Sequence, residues 1–269
     1  LRGFTINLPG VGAVSLEDAL SRAEGPGLDR ALDYLIQESQ PVIPAGLIVN
    51  PTYTYLVLFI VVIAVLWFGV NNSAKEIVKE EPIYARERGV NLQILPYLGS
   101  KFLILGVISA IQTALLMLLM FGSLELAGLW LGHQVPPAQY MLPYPAMFGV
   151  LVVTSLCGVA LGLLLSACVN SPDRANALLP YVIIPQLILG GGVITVKSGV
   201  LFYLAALFSP VYWAFRAVRR GVPQLPSDFH WHLDYDDSVW ICLAALAVQT
   251  MVLLALTGWF LKQKDEGNG

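Results

Sequence analysis

Apolar and polar residues fall into long alternating blocks along this chain. Apolar runs occupy much of 52–70, 97–121, 145–169, 177–194, 199–218 and 238–261. Most approach the roughly 20 residues that cross a bilayer as a helix. Runs this long predict helices rather than the ten-residue alternation of a membrane barrel. The first span is expected over Thr52–Val70, with Tyr53 and Tyr55 at one end and Trp67 and Phe68 at the other, as an aromatic belt places them. The second is expected over about Tyr97–Phe121, with Lys101 near its start snorkelling to the interface, and a proline-rich loop, Gly122–Tyr144, follows it. The third covers Pro145–Val169 and leads into the polar reversal Asn170–Asn176. The fourth, Ala177–Ile194, ends in Gly190-Gly191-Gly192, and the last is Ser238–Leu261. The remaining run, Gly199–Val218, is broken by Ser209-Pro210 and closed by Arg216, Arg219 and Arg220. Each half is too short to cross, so a re-entrant or interfacial broken helix is predicted. That makes five spans and places the two chain ends on opposite sides.

Between the first two spans lies a charged island, Asn71–Lys101. Lys75, Lys79, Arg86 and Arg88 stand there against Glu76, Glu80, Glu81 and Glu87. A lipid-binding basic patch would be strongly positive; this balance suits a surface that docks on another protein. Pro82 punctuates it. Proline is favoured at a first helical position and pushes its predecessor out of the α region. The first span is therefore expected to continue to about Glu80 and break at Glu81, with a second short helix from Pro82 to near Gly89.

Composition narrows the class. Of 269 residues, 57 % are hydrophobic and 12 % charged, about half the charge of a soluble protein. The chain reads as an integral membrane protein with no nucleic-acid partner. Cys157, Cys168 and Cys242 lie in or beside apolar runs and suggest neither disulfides nor a metal. No acidic or basic residue and no histidine sits mid-span, which argues against ion-coupled transport and intramembrane hydrolysis. The polar groups within spans are Gln112, Thr113, Thr154, Ser155, Gln186, Gln249 and Thr250; interhelical hydrogen bonds are the simplest use for them. His230-Trp231-His232 between Asp228 and Asp234 reads as a polar interfacial loop in preference to a metal site. No phosphate-binding loop of the type G-x-x-x-x-G-K-[ST] occurs in the sequence.

Residues 1–50 are expected to form an extracytoplasmic or interfacial segment. Ser15 and Asp18 resemble a capping box, and Leu28, Ala31, Leu32, Leu35 and Ile36 share a helical face. Residues 51–262 form the membrane domain and 263–269 a cytoplasmic tail. The island, the 170–176 reversal and the tail fall on one side, which the short basic connections mark as cytoplasmic. The chain begins at Leu1 without a signal-peptide pattern and is expected to be a piece of a longer or processed polypeptide.

Four features in order resemble the permease domain of ABC exporters of the G subfamily, the white and pleiotropic-drug-resistance group, of the bacterial half-transporter type. They are Glu81-x-x-Tyr84-x-Arg86-Glu87 with Tyr97-x-x-Ser100-Lys101, the 170–176 reversal, the Gly190–Gly192 end, and Ser209-Pro210-x-x-Trp213-Ala214-Phe215-x-Ala217. The resemblance covers roughly residues 52–262. It departs from the family in showing five spans instead of six, in carrying Asn91-Leu92-Gln93 where the family has Gly-x-Tyr, and in having no ATPase domain.

The resemblance implies an all-α type-two exporter permease fold in a bacterial inner membrane. It implies that Pro82–Gly89 is a coupling helix seated in an ATPase domain, with Glu81, Tyr84, Arg86, Glu87 and Arg88 at the contact. It implies a second permease copy, homo- or heterodimeric, and a cargo cavity between the copies for which Trp67, Phe68, Gln186 and Val193 are candidate lining residues. ATP and Mg would belong to the partner ATPase, with no cofactor and no catalytic site in this chain. The expected function is ATP-driven export of a lipid-like or hydrophobic substrate. A secondary transporter or channel, or a structural membrane subunit, are the alternatives; the first would need an inverted repeat or intramembrane ions.

Overall fold

The computed structural model describes residues 5–8, 12–15, 51–88, 93–131, 142–193, 199–219 and 238–267. The chain divides into two units, Leu1–Leu47 and Ile48–Gly269. The first contains an antiparallel hairpin of β1 (Thr5–Leu8) and β2 (Gly12–Ser15), with Thr5 opposite Ser15 and Leu8 opposite Gly12. The intervening sequence carries the turn dipeptide Pro9-Gly10. Ser15 therefore pairs in a strand, and the helix its capping box would open lies outside the described residues. The amphipathic helix expected over Leu28–Ile36 lies outside the described residues.

The described part of the second unit is helical. In chain order it comprises α1 (Pro51–Ser73), α2 (Glu76–Arg88), α3 (Ile94–Leu131), α4 (Tyr144–Cys168), α5 (Pro172–Leu189), α6 (Val200–Phe208), α7 (Pro210–Val218) and α8 (Val239–Gly267). Among the described residues four helical stretches are long and apolar enough to cross a membrane: Leu56–Glu81, which runs from α1 through the turn at Ala74-Lys75 into α2, Ile94–Ser123, Tyr144–Cys168 and Val239–Lys264. The fourth expected span is not one of them. Its helix, α5, starts at Pro172, spends its first turn on Asp173 and Arg174, and contains Pro180 and Pro185. From Ala177 to Leu189 it rises only ~20 Å, against a hydrocarbon core of roughly 30 Å.

Three boundaries also move. The polar reversal shrinks to Asn170-Ser171, because Ser171 caps α5 by accepting from Arg174 N at 3.3 Å. The helix α3 runs to Leu131, through residues expected in a loop. That stretch, Gly122–Leu131, is rich in leucine and holds no proline, so nothing in it stops a helix. The polar tail is helical as far as Gly267.

The centre of this unit is the pairing of α1 with α4. Leu58, Val62, Val65 and Leu66 of α1 and Leu151, Val159 and Leu163 of α4 are fully buried. Small residues bring the two backbones together: Gly69 and Ser73 on α1 face Gly158 and Gly162 on α4. A Cβ on Gly162 would stand 2.6 Å from Val70 O, and one on Gly69 would stand 2.7 Å from Val159 N. In lipid such close approach is what makes helices associate, since apolar burial alone gives no advantage there. The helices α3 and α8 pack outside this pair. Leu103, Ile111 and Leu118 on α3 and Ile241, Val248 and Met251 on α8 are exposed.

The broken helix is present. The helices α6 and α7 meet at Ser209 with a bend of 91°. Ser209 is the N-cap of α7, its Oγ accepting from Tyr212 N at 3.3 Å, and Pro210 opens the helix. The hydroxyls within spans behave differently from expectation. Thr113, Thr154 and Thr250 donate to the carbonyl four residues back, and Ser155 to the one three back, all at 2.8 Å. A short hydroxyl reaches its own helix first. The interhelical bonds come from longer amides: Asn72 Nδ2 of α1 donates to Gln112 Oε1 of α3 at 2.7 Å and to Ser109 Oγ at 3.1 Å.

Candidate functional site

Within the charged island, Glu76–Arg88 form a single helix, α2, set off from α1 by a turn at Ala74-Lys75. The expected break at Glu81 does not occur. Pro82 removes one backbone hydrogen bond, but contacts on both sides of it hold the helix in place. At its start, the residue before the first turn is Lys75, which accepts from Lys79 N at 3.0 Å but has no side-chain acceptor for the orphan N–H groups of a helix start. Ser166 of α4 supplies one: its Oγ accepts from Ile77 N and Val78 N, at 3.0 Å each. The cap of α2 thus comes from another helix.

Beyond that cap the side chains of α2 reach its neighbours. Lys101 of α3 lies 3.4 Å from Glu76 Oε1 and 2.5 Å from Glu80 Oε1, and is only 17 % exposed. It turns to two carboxylates of α2. Tyr97 donates its hydroxyl to Glu80 Oε2 at 3.4 Å, and its ring packs on that of Tyr84, centroids 4.9 Å apart. Tyr84 is buried. Glu81 pairs with Lys264 of α8 at 3.3 Å, and the same ammonium donates to Val169 O, the C-cap carbonyl of α4, at 3.2 Å. One exposed ion pair contributes about 0–1 kcal/mol. What counts here is that α2, thirteen residues long, is tied to α3, α4 and α8 together.

With Ile77, Val78 and Tyr84 inward, the opposite face presents Lys79, Ile83 and Arg86, all exposed. Their i, i+4, i+7 spacing puts them on one stripe. Glu87 and Arg88 belong to the last turn of α2; their side chains lie outside the described set. Contacts also gather the three connections expected on one side. Ser166, near the 170–171 turn, and Lys264 both bond to the island, and Lys264 also bonds to Val169 O.

The candidate lining residues do not form one described cluster. Trp67 and Val193 are exposed and Phe68 is half-buried. Gln186 is buried, and its Nε2 donates to Phe208 O at 3.1 Å. Near the glycine end of α5 the sequence reading missed Phe59, whose ring lies where a Cβ on Gly190 or Gly192 would go and meets Phe215 edge-on at 5.2 Å. The sequence shows Phe59 only as one apolar residue in an apolar run.

Gln186 belongs to a second polar feature. The last carbonyls of α6 lose their helical partners at the bend. Gln249 Nε2 of α8 donates to Ala206 O and Leu207 O at 3.1 Å each, Trp213 Nε1 donates to Ala206 O at 2.7 Å, and Gln186 serves Phe208 O. Non-helical backbone at membrane depth persists only where its polar groups are met in this way. Arg216, also buried, donates to Tyr212 Oη at 2.8 Å and stacks over the Tyr212 and Trp213 rings. Among the described residues, no group of three His, Cys, Asp or Glu side chains could hold a metal; His230 and His232 lie outside them.

Residues 31–222 match the ABC-2 type transporter family. The chain belongs to that family. It is an integral membrane domain of an ABC-2 type transporter. It is similar to the ABC transporter ATP-binding/permease protein Rv1747 of Mycobacterium tuberculosis, with 24 % identity over 216 residues that cover 77 % of this chain and 24 % of that protein. The chain therefore spans about a quarter of the length of that relative. The match of the family ends at residue 222, so α8 and its Lys264 lie beyond it.

Proposed function

We propose that this ABC-2 membrane domain is the permease half of an ATP-driven exporter of the G-subfamily type, driven through α2 by an ABC ATPase domain. The observation that carries the reading is the two-faced character of α2. Its inner face is bonded to three other helices, while its outer face offers Lys79, Ile83 and Arg86 to a partner. A lipid-facing surface would not be charged, and an unpartnered loop would not need anchoring at both ends. The similarity to a protein named as ATP-binding and permease supports an ATPase as the occupant, with ATP and Mg on that domain. On this reading α2 faces the cytoplasm of a bacterial cell, and Glu81, Tyr84, Arg86, Glu87 and Arg88 form or brace the contact.

The cargo path lies between two copies, with Trp67, Phe68, Gln186 and Val193 as lining candidates. The shortage of charge within the spans suits a lipid-like or hydrophobic substrate. A photo-crosslinking residue at Ile83, in the transporter purified with its ATPase, tests the docking. An adduct mapped by mass spectrometry to the ATPase domain is expected. Illumination that never labels that domain, in the presence or absence of nucleotide, would sink the reading.

A further inference from the structure

We infer that Lys264 is a positioning residue that carries movement of α2 into the last span, α8. The inference rests on the docking reading above and deepens it. The helix α2 is continuous in sequence with α1 and bonded to α4 through backbone N–H groups, so those spans follow it directly. The last span has no such link: it begins more than a hundred residues later, at Val239. The polar contact described between it and α2 is the Lys264 ammonium, placed between Glu81 Oε1 of α2 at 3.3 Å and Val169 O of α4 at 3.2 Å.

The Val169 carbonyl is an orphan acceptor at the end of α4, where the helix dipole is negative. A cation there meets a carboxylate and a helix C-terminus at once. The pair is partly exposed, 29 % for Lys264 and 41 % for Glu81, so it adds little to stability. Its effect is geometric: one ammonium ties the middle of α2 to the C-terminal ends of α4 and α8. The Leu261 side chain one turn earlier is buried, so the tie is continuous with the packed part of α8. A displacement of α2 therefore pulls on α8 through Lys264, and without that residue this polar tie between the two helices is lost.

The test is hydrogen exchange of the whole transporter, ATPase included, with and without a non-hydrolysable ATP analogue. Peptides over 76–88 and over 254–264 are compared in wild type, Lys264→Ala and Lys264→Arg. In wild type, nucleotide should change protection in both peptides. In Lys264→Ala the α2 peptide should still respond while the α8 peptide no longer does, and export per ATP hydrolysed should fall roughly 2- to 30-fold, the range of coupling changes that single residues produce. Arginine keeps the charge and the donors, so Lys264→Arg should restore both. An α8 peptide that responds to nucleotide as well in Lys264→Ala as in wild type overturns the inference while leaving α2 as the docking helix. An α2 peptide that ignores nucleotide in wild type overturns the docking reading, and this inference with it.

Discussion

Ser166 Oγ lies 3.0 Å from Ile77 N, a bond between residues 89 positions apart that does the work of a local helix cap. A cap of this kind contributes about 0.5–2 kcal/mol when its own helix supplies it. Here the same hydroxyl also fixes where α2 starts on α4. Ser166→Ala should lower stability by about 1 kcal/mol and raise exchange of the Ile77 and Val78 amides selectively. Thermal unfolding in detergent and amide-resolved exchange check the two parts. Unchanged protection at Ile77 and Val78 would mean that water serves these donors equally well.

The bend at Ser209 makes a second prediction. Ala206 O has two donors, Trp213 and Gln249, but Leu207 O has Gln249 alone among the bonds described. Gln249→Leu removes that donor with little change in bulk. Leaving one carbonyl unmet in an apolar setting costs about 1–3 kcal/mol. The variant should unfold more easily in lipid, and more so than Gln249→Asn if the shorter amide still reaches one carbonyl. Equal stability of wild type and Gln249→Leu would show that the bend does not depend on this amide.

How far the fold was legible follows from what kind of information each feature needs. The spans near α1, α3, α4 and α8 are visible because hydrophobic length alone defines them. The break at Ser209-Pro210 is visible because proline is a local signal. The break expected at Glu81-Pro82 moved to Ala74-Lys75, since the decisive bond comes from Ser166, far along the chain. The same holds for Lys101: its isolated charge suggested an interface, whereas Glu76 and Glu80 reach it only once α2 lies beside α3. Lys264 looked like part of a polar tail, and nothing local distinguishes it from Lys262. The hairpin is faint in the sequence, because strands of only four residues each leave little alternation to see beside the turn signal Pro9-Gly10. Of the island residues, the ionic and aromatic types were legible, but which face of α2 each occupies was not.

The pairing of two copies is tested at the exposed end that follows α5. Val193 is 55 % exposed and stands beside the glycine run. If two permeases enclose the cargo path with this end near their axis, Val193→Cys should form a disulfide or a short-spacer cross-link between copies in membranes. The other cysteines are not equivalent reporters, because Cys157 and Cys242 are buried and Cys168, although exposed, lies at the far end of α4. A dimer band that depends on Val193→Cys is the expected result on a denaturing gel. A chain that remains monomeric in membranes with its ATPase present would count against a paired cavity.

The outer face of α2 carries the prediction that bears most on function. On the proposed function, ATP energy enters through a contact, since this sequence holds no phosphate loop. Arg86 is exposed on the stripe with Lys79 and Ile83, and Glu87 follows it in the last turn. Glu76, Glu80, Glu81 and Tyr84 tie α2 to its neighbours. Hydrogen bonds to charged groups are stronger than neutral ones, and truncating one partner at a partly buried interface costs on the order of 2–5 kcal/mol. Arg86→Ala and Glu87→Ala should therefore insert and fold as wild type does but export more slowly, with ATP hydrolysis continuing out of step with cargo movement. Export and hydrolysis rates measured together in proteoliposomes decide it. Glu80→Ala is the contrasting variant: it removes a carboxylate from Lys101 and should lower thermal stability as well. If Arg86→Ala and Glu87→Ala both export at the wild-type rate, the outer stripe of α2 is a solvated surface and the ATPase engages elsewhere.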